Sequence, residues 1–209
     1  MWMLLIPLVF AILHFKTGKY PFSAAVTLSC LAVSLYFRAS MPILAAYGLS
    51  VIGDWFMAHS GGKNGDKMLL GGIVFFFSAH VCFLIFAGGE AGPVLLIPLR
   101  AAAVTILAAG YAVFLIRTLY PAIRERFLKI AATAYTGISL TVMGASLFSA
   151  APPLPAVLFA AGIALILFSD TLIALSRFLG QKRWNRWICP TYFACHILVA
   201  ASQILMPPR

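Results

Sequence analysis

Long apolar runs broken by short polar gaps organise the chain. The runs fall near 2–15, 21–37, 41–58, 68–87, 93–116, 130–149, 154–176 and 188–206. A helix needs about 20 mostly apolar residues to cross roughly 30 Å of hydrocarbon. The pattern therefore predicts an all-α polytopic membrane bundle of eight transmembrane helices, forming a single domain over residues 1–209. Proline stands at or near the start of several runs (Pro21, Pro42, Pro93, Pro155), where the first helical turn tolerates its missing N–H. The first run is short, so it is expected to tilt little or to lie partly in the interface. The loops leave no room for a soluble domain, so any chemistry has to occur in or beside the membrane.

Composition agrees with that reading. The chain is 63% hydrophobic and 10% charged, far from the ordinary soluble proportions of about 45–50% and 25%. Its mean hydropathy is +1.01. The formal net charge of +10 does not mark a nucleic-acid surface, because the basic residues sit in short gaps and not in a patch interleaved with exposed aromatics. They sort by side instead. Alternate gaps hold Lys16 and Lys19; Lys63 and Lys67; Arg117, Arg124, Arg126 and Lys129; and Arg177, Lys182, Arg183 and Arg186, which are twelve of the fifteen Lys and Arg residues. Short cytoplasmic loops retain Lys and Arg, so both termini are expected on the non-cytoplasmic side. No Lys or Arg precedes Lys16, which argues against a cleaved signal with its basic leader. Cys30, Cys82, Cys189 and Cys195 lie in apolar runs without a C-x-x-C pair and read as small packing residues. Two small or hydroxylated stripes, Ser23–Thr27–Cys30–Ser34 and Thr133–Gly137–Thr141–Gly144, read as faces for close helix packing.

The informative residues are the polar ones inside the runs. Asp66, Glu90 and Glu125 fall in gaps, whereas Asp54 and Asp170 lie within the third and seventh runs. An intramembrane carboxylate costs at least about 2.5–3.5 kcal/mol on insertion scales and normally faces a polar interior. Both runs point the same way across the membrane, so the two carboxyls should lie at similar depth, one to two turns from the cytoplasmic boundary. His14 and His59 lie near run ends, where interfacial solvation accounts for them; His80 and His196 are deeper. Cys189, Tyr192, His196 and Gln203 share one helical stripe, whereas His80 stands on an apolar face and is expected to hydrogen-bond a neighbouring helix. Arg100 lies inside the fifth run and is expected to snorkel to the outer interface.

Spacing ties these residues together. Asp54 and His80 are 26 residues apart, and so are Asp170 and His196. A small residue precedes each Asp, a basic gap follows it, and an aromatic pair precedes each His (Phe76-Phe77, Tyr192-Phe193). The common offset of 116 residues reads as a parallel internal repeat about an axis along the membrane normal.

Gly53-Asp54, Phe77-Ser78-Ala79-His80, Phe168-Ser169-Asp170 and Thr191-Tyr192-Phe193-Ala194-Cys195-His196 together resemble the YhhN-type lysoplasmalogenase family. The likeness extends over most of the chain through the number and order of runs. Two positions depart from the family pattern: Phe83 stands where a Tyr is usual, and Tyr20 separates Lys19 from Pro21. The resemblance implies a membrane hydrolase that cleaves the vinyl-ether bond of lysoplasmalogens to a fatty aldehyde and a glycerophospho-head group. It implies Asp54 and Asp170 as the catalytic pair, with Tyr192, His80 and His196 orienting the pair or a water. Cytoplasmic basic residues, Lys19 and Lys63 among them, would hold the substrate phosphate. The expected surroundings are a lysophospholipid substrate and a lipid bilayer, with no nucleic acid and no cofactor, in a bacterial inner (cytoplasmic) membrane.

Two rival readings of the same residues stay open. His80, His196 and one Asp have the donor types for a zinc ion and its water, although no H-E-x-x-H pattern is present. Asp54 and Asp170 also suit the proton or cation sites of a small transporter.

Overall fold

The computed structural model describes residues 2–62, 64–90, 98–149 and 152–207, with backbone alone at 98–101 and 103. Eight long helices account for nearly all of it. A 3-10 turn, Trp2–Leu4, leads into α1 (Leu5–Thr17). It is followed by α2 (Tyr20–Tyr36), α3 (Met41–Ala58) and α4 (Gly65–Gly89). Next, α5 (Pro98–Phe114) runs on through a π-helical turn, Leu115–Leu119, to Tyr120–Ala122. The chain ends with α6 (Arg126–Leu147), α7 (Pro153–Leu179), a 3-10 turn at Lys182–Trp184, and α8 (Asn185–Leu205).

Among the described residues, six of these helices are long and apolar enough to cross a membrane, α3 to α8; α1 and α2 are shorter apolar helices. At about 1.5 Å per residue, the 27 residues of α7 span about 40 Å, more than the hydrocarbon layer, while the 17 of α2 reach about 25 Å. The helices outrun the apolar runs mainly at their basic ends. α4 starts at Gly65, α6 at Arg126 and α8 at Asn185, and α7 continues to Leu179. Hydropathy registers only the part of a helix in hydrocarbon, but the backbone ladder persists through the headgroup layer. Proline falls at the first or second position of α2, α3 and α7, as the pattern predicts. The π turn in α5 stands just before Pro121, whose ring nitrogen can make no bond to the carbonyl one turn back.

Six helices close a ring. α2 packs on α3, α3 on α4, α4 on α6, α6 on α7, α7 on α8, and α8 back on α2. α1 lies outside against α2 and touches α8, and α5 lies outside against α6. The tightest seam joins α7 to α8, where a Cβ on Gly162 would stand 2.7 Å from Val199 Cγ2 and 3.1 Å from the Cys195 carbonyl. Such approach is how membrane helices gain packing energy without a hydrophobic driving force. The main core, with Tyr47, Phe83, Phe159, Ile163 and Val199 fully buried, fills the ring. Large apolar side chains cover the outside instead, among them Ile106, Ile116, Val157 and Phe127. A soluble monomer does not expose apolar surface on that scale.

The two small-residue stripes part company. Thr27, Cys30 and Ser34 are fully buried, as a packing face should be. Thr133, Gly137 and Thr141 face outward, and both threonine hydroxyls bond back to the carbonyl four residues earlier. A hydroxyl that can satisfy itself on its own helix tolerates lipid, so the second stripe is not a packing face except at Gly144, which meets Val104.

Candidate functional site

The ring interior opens at the end where the basic loops gather. A cavity of about 510 Å³ is lined there by His14, Tyr20 and Ser60 near the mouth and by Asp54, Asp170 and Tyr192 in its wall. Arg177 and Asn185 stand on the same rim. Asp54 is 8% exposed and Asp170 is half-buried. Two carboxyls separated by 116 residues of sequence thus share one cavity, because α3 and α7 both end at this rim.

Each carboxyl has its own hydroxyl donor. Thr27 Oγ1 of α2 donates to Asp54 Oδ2 at 3.0 Å. Tyr135 of α6 donates its phenol to Asp170 Oδ2 at 2.5 Å. The Tyr135 oxygen also stands 3.5 Å from His80 Nδ1, and that nitrogen is 2.8 Å from the Phe76 carbonyl of its own helix. His80 therefore carries its proton on Nδ1, the only atom that can satisfy the carbonyl. Tyr192 lies beside Asp54 in the cavity wall, its ring 4.5 Å from that of His196 and 6.1 Å from that of Phe76. Its hydroxyl is buried and makes no hydrogen bond of good geometry. Ser169 Oγ of α7 donates to the Ile188 carbonyl of α8 at 3.2 Å, which fixes the residue before Asp170 against the helix that carries Tyr192.

A second space branches from the first. A slot of about 70 Å³, walled by Leu69, Ile73, Leu119, Leu167 and Phe178, shares Met57, Phe76, Asp170 and Ile173 with the large cavity. Its surface is mostly apolar, with Tyr111, Tyr135, Thr136 and Ser139 beside Asp170 in its lining, and the π turn of α5 supplies Leu119. Asp170 stands at the junction; Asp54 borders only the larger space. Above the slot Tyr111 and Thr171 share a hydrogen bond of 2.8 Å.

The structure brings together Asp54, Asp170 and Tyr192, with His80 and His196 behind them in the ring. It leaves Lys19, one of the two basic head-group candidates, out of the cavity lining. Lys19 is exposed and stays out of the lining although its neighbours Gly18 and Tyr20 belong to it, and Lys63 lies outside the described residues. A lysine in that short exposed turn points to water, whereas Arg177 sits on the inner rim at the last turn of α7. There Arg177 Nη2 donates to the Ser60 carbonyl at 2.5 Å. The side chain of Arg100 also lies outside the described residues.

Three site residues escape a reading of sequence. Thr27 looks like one member of a packing stripe, Tyr135 stands among Thr133, Thr136 and Ser139 on a helix without a carboxylate or histidine to flag it, and Arg177 is one loop charge among many. His14, assigned to the interface, lines the cavity and takes the Lys19 carbonyl at 3.2 Å.

The zinc set does not assemble. Among the described residues no three His, Cys, Asp or Glu side chains come together as metal ligands. His80 is engaged by Phe76 and Tyr135, and Tyr135 stands between it and Asp170. All four cysteines are free, and only Cys189 reaches the cavity.

These features define a polytopic helical membrane protein with a buried carboxyl pair in a cavity open at one end. The YhhN family model matches residues 5–203, and the chain belongs to that family. No curated protein and no solved structure matches it.

Proposed function

We propose that the protein is a hydrolase of lysoplasmalogens, cleaving their vinyl-ether bond within the ring cavity. One observation carries the reading: two carboxyls face a single cavity, and an apolar slot opens beside one of them. That layout suits a substrate with an apolar chain, a polar head and the scissile bond between them. The alkenyl chain lies along the slot, the glycerophospho-head occupies the larger cavity, and Arg177 on the rim holds its phosphate. The vinyl carbons then fall at the junction, beside Asp170.

The roles follow from that placement. Asp170, protonated on the oxygen that Tyr135 does not hold, delivers a proton to the vinyl carbon nearer the chain. The neighbouring carbon becomes an oxocarbenium ion. Asp54, held by Thr27, takes a proton from a water that attacks this carbon, and the resulting hemiacetal collapses to aldehyde and glycerol hydroxyl. The division of labour parallels the acid and carboxylate of glycoside hydrolysis, and two carboxyls in a poorly solvated site tend to hold different protonation states.

In this reading all eight helices cross a bacterial cytoplasmic membrane, α1 and α2 under local thinning. The basic rim is cytoplasmic and both termini are on the other side. The repeat relates α2–α4 to α6–α8 and does not extend to α1 and α5. The order of contacts around the ring supports the repeat, since α2 on α3 corresponds to α6 on α7 and α4 on α6 to α8 on α2. Phe76 and Tyr192, 116 residues apart, also meet across the axis.

The test is mass spectrometry of the products after purified protein meets lysoplasmenyl-ethanolamine in deuterated water, with an ester-linked lysolipid as control. Fatty aldehyde carrying one deuterium next to its carbonyl carbon is expected from the vinyl ether alone. Folded protein that releases no aldehyde refutes the proposal.

A further inference from the structure

At the end of the ring away from the cavity mouth, α2 passes through a turn at 37–40 into the start of α3, and α8 ends beside them. A separate pocket of about 140 Å³ lies there. Phe37, Ala39, Met206 and Pro207 give it apolar walls, and Arg38, Ser40 and Gln203 are its polar groups. None of these residues belongs to the carboxyl site.

Each polar group has bonding capacity left over. The Arg38 side chain makes no hydrogen bond or ion pair with a described residue. Among the described side chains, every other Lys and Arg lies at the cavity end. Ser40 caps α3, yet its hydroxyl bonds no first-turn N–H. Pro42 has none to offer, and the N–H of Ile43 goes to the Ser40 carbonyl at 3.0 Å. Ser40 Oγ is therefore buried and unpartnered among the described residues, at the positive end of the α3 dipole. Gln203 is 6% exposed. Ser202 Oγ donates to the Val199 carbonyl at 2.7 Å, so it accepts from Gln203 at 3.1 Å, which fixes Nε2 as the bonded end of the amide. The Gln203 carbonyl oxygen is left in the pocket wall without a partner among the described residues. An amide so enclosed is ordinarily satisfied. Two donors and one acceptor thus converge on one small space that has a cation in its wall.

The surroundings favour a lipid over a dissolved anion. Tyr36 and Met41, beside the pocket, are largely exposed, and the Tyr36 ring meets that of Phe37 edge-on at 5.2 Å. Amphipathic rings of this kind sit at the level of the head groups. We propose that the pocket binds the head of a bilayer phospholipid that carries both a phosphate and a hydrogen-bond donor. Arg38 and Ser40 donate to the phosphate. The Gln203 carbonyl accepts from the donor, which the ammonium of phosphatidylethanolamine supplies and the quaternary nitrogen of phosphatidylcholine lacks. The bound lipid ties α2, α3 and α8 together where the ring closes, and it takes no part in hydrolysis.

The experiment is native mass spectrometry of the detergent-solubilised protein after exposure to equimolar diacyl phosphatidylethanolamine and phosphatidylcholine. Wild type should retain one phosphatidylethanolamine and about tenfold less phosphatidylcholine, the scale of one hydrogen bond to a charged group. Arg38→Gly suits the φ of 54° at that position, so it keeps the turn while removing the charge, and it should lose both lipids. Gln203→Leu should still hold a lipid but take the two equally; Gln203→Met covers the case in which the leucine variant fails to fold. Wild type that retains neither lipid, or both equally, overturns the proposal. So does Arg38→Gly that holds phosphatidylethanolamine as wild type does, or a folded Gln203 variant that keeps the preference. Inorganic phosphate that displaces the lipid at equal concentration also overturns it, since the site is then one for a free anion.

Discussion

Tyr135→Phe tests the geometry of the site most finely. The substitution removes one oxygen and leaves the ring that packs on His80. What is lost is the hydrogen bond to Asp170 Oδ2, 2.5 Å long, in a half-buried position. That bond strengthens as Asp170 gives up its proton and becomes a carboxylate, so it acts on the transition state more than on the bound substrate. A hydrogen bond to a charged group contributes about 1.5–3 kcal/mol. At roughly 1.4 kcal/mol per factor of ten, kcat should fall about 10- to 150-fold with KM nearly constant. Initial rates of aldehyde release across a range of lysoplasmenyl-ethanolamine concentrations separate the two parameters. A Tyr135→Phe protein with wild-type kcat would show that Asp170 is not the proton donor, or that its phenol partner is idle.

Other consequences are simpler. Thr27→Val removes the donor to the ionised Asp54, a bond of about 1.5–3 kcal/mol that weakens as Asp54 takes its proton. Only the part that positions the base is lost, so kcat should fall less than with Tyr135→Phe, no more than about tenfold in the same assay. Arg177→Ala should raise KM about three- to fivefold with little change in kcat, the modest size reflecting an exposed charge pair; an unchanged KM would remove Arg177 from phosphate binding. Gly162→Ala places a methyl against Val199 and the Cys195 carbonyl. Overpacking of this kind costs about 1–3 kcal/mol, so the apparent melting temperature in detergent should drop by several degrees.

How much of this was legible in the residues varies with the type of signal. The eight helices follow from apolar runs and polar gaps, because a segment that meets hydrocarbon must be apolar along its length and satisfy its own backbone. Their ends are less legible, since nothing in hydropathy marks where a helix leaves the headgroup layer. Asp54 and Asp170 stand out because a carboxylate in an apolar run is costly and rare. Their donors do not. Thr27 and Tyr135 are ordinary helix residues until the ring closes and sets α2 against α3 and α6 against α7. The spacing of 26 residues sets each Asp and its His on successive helices, yet each Asp finds its partners outside its own hairpin. Asp54 meets Thr27 of α2, and Asp170 meets Tyr135 of α6. Charge does not tell recognition from solvation: Lys19 and Arg177 look alike in a string of letters, and only the fold turns one outward and the other to the rim.

The central claim is that both carboxyls are needed together. It is tested most directly by quantifying aldehyde from lysoplasmenyl-ethanolamine with wild type, Asp54→Asn and Asp170→Asn at matched amounts of folded protein. The account predicts that each single substitution lowers turnover by at least a thousandfold, the order of loss general acid–base catalysis allows. Near-normal turnover by either asparagine variant would contradict it.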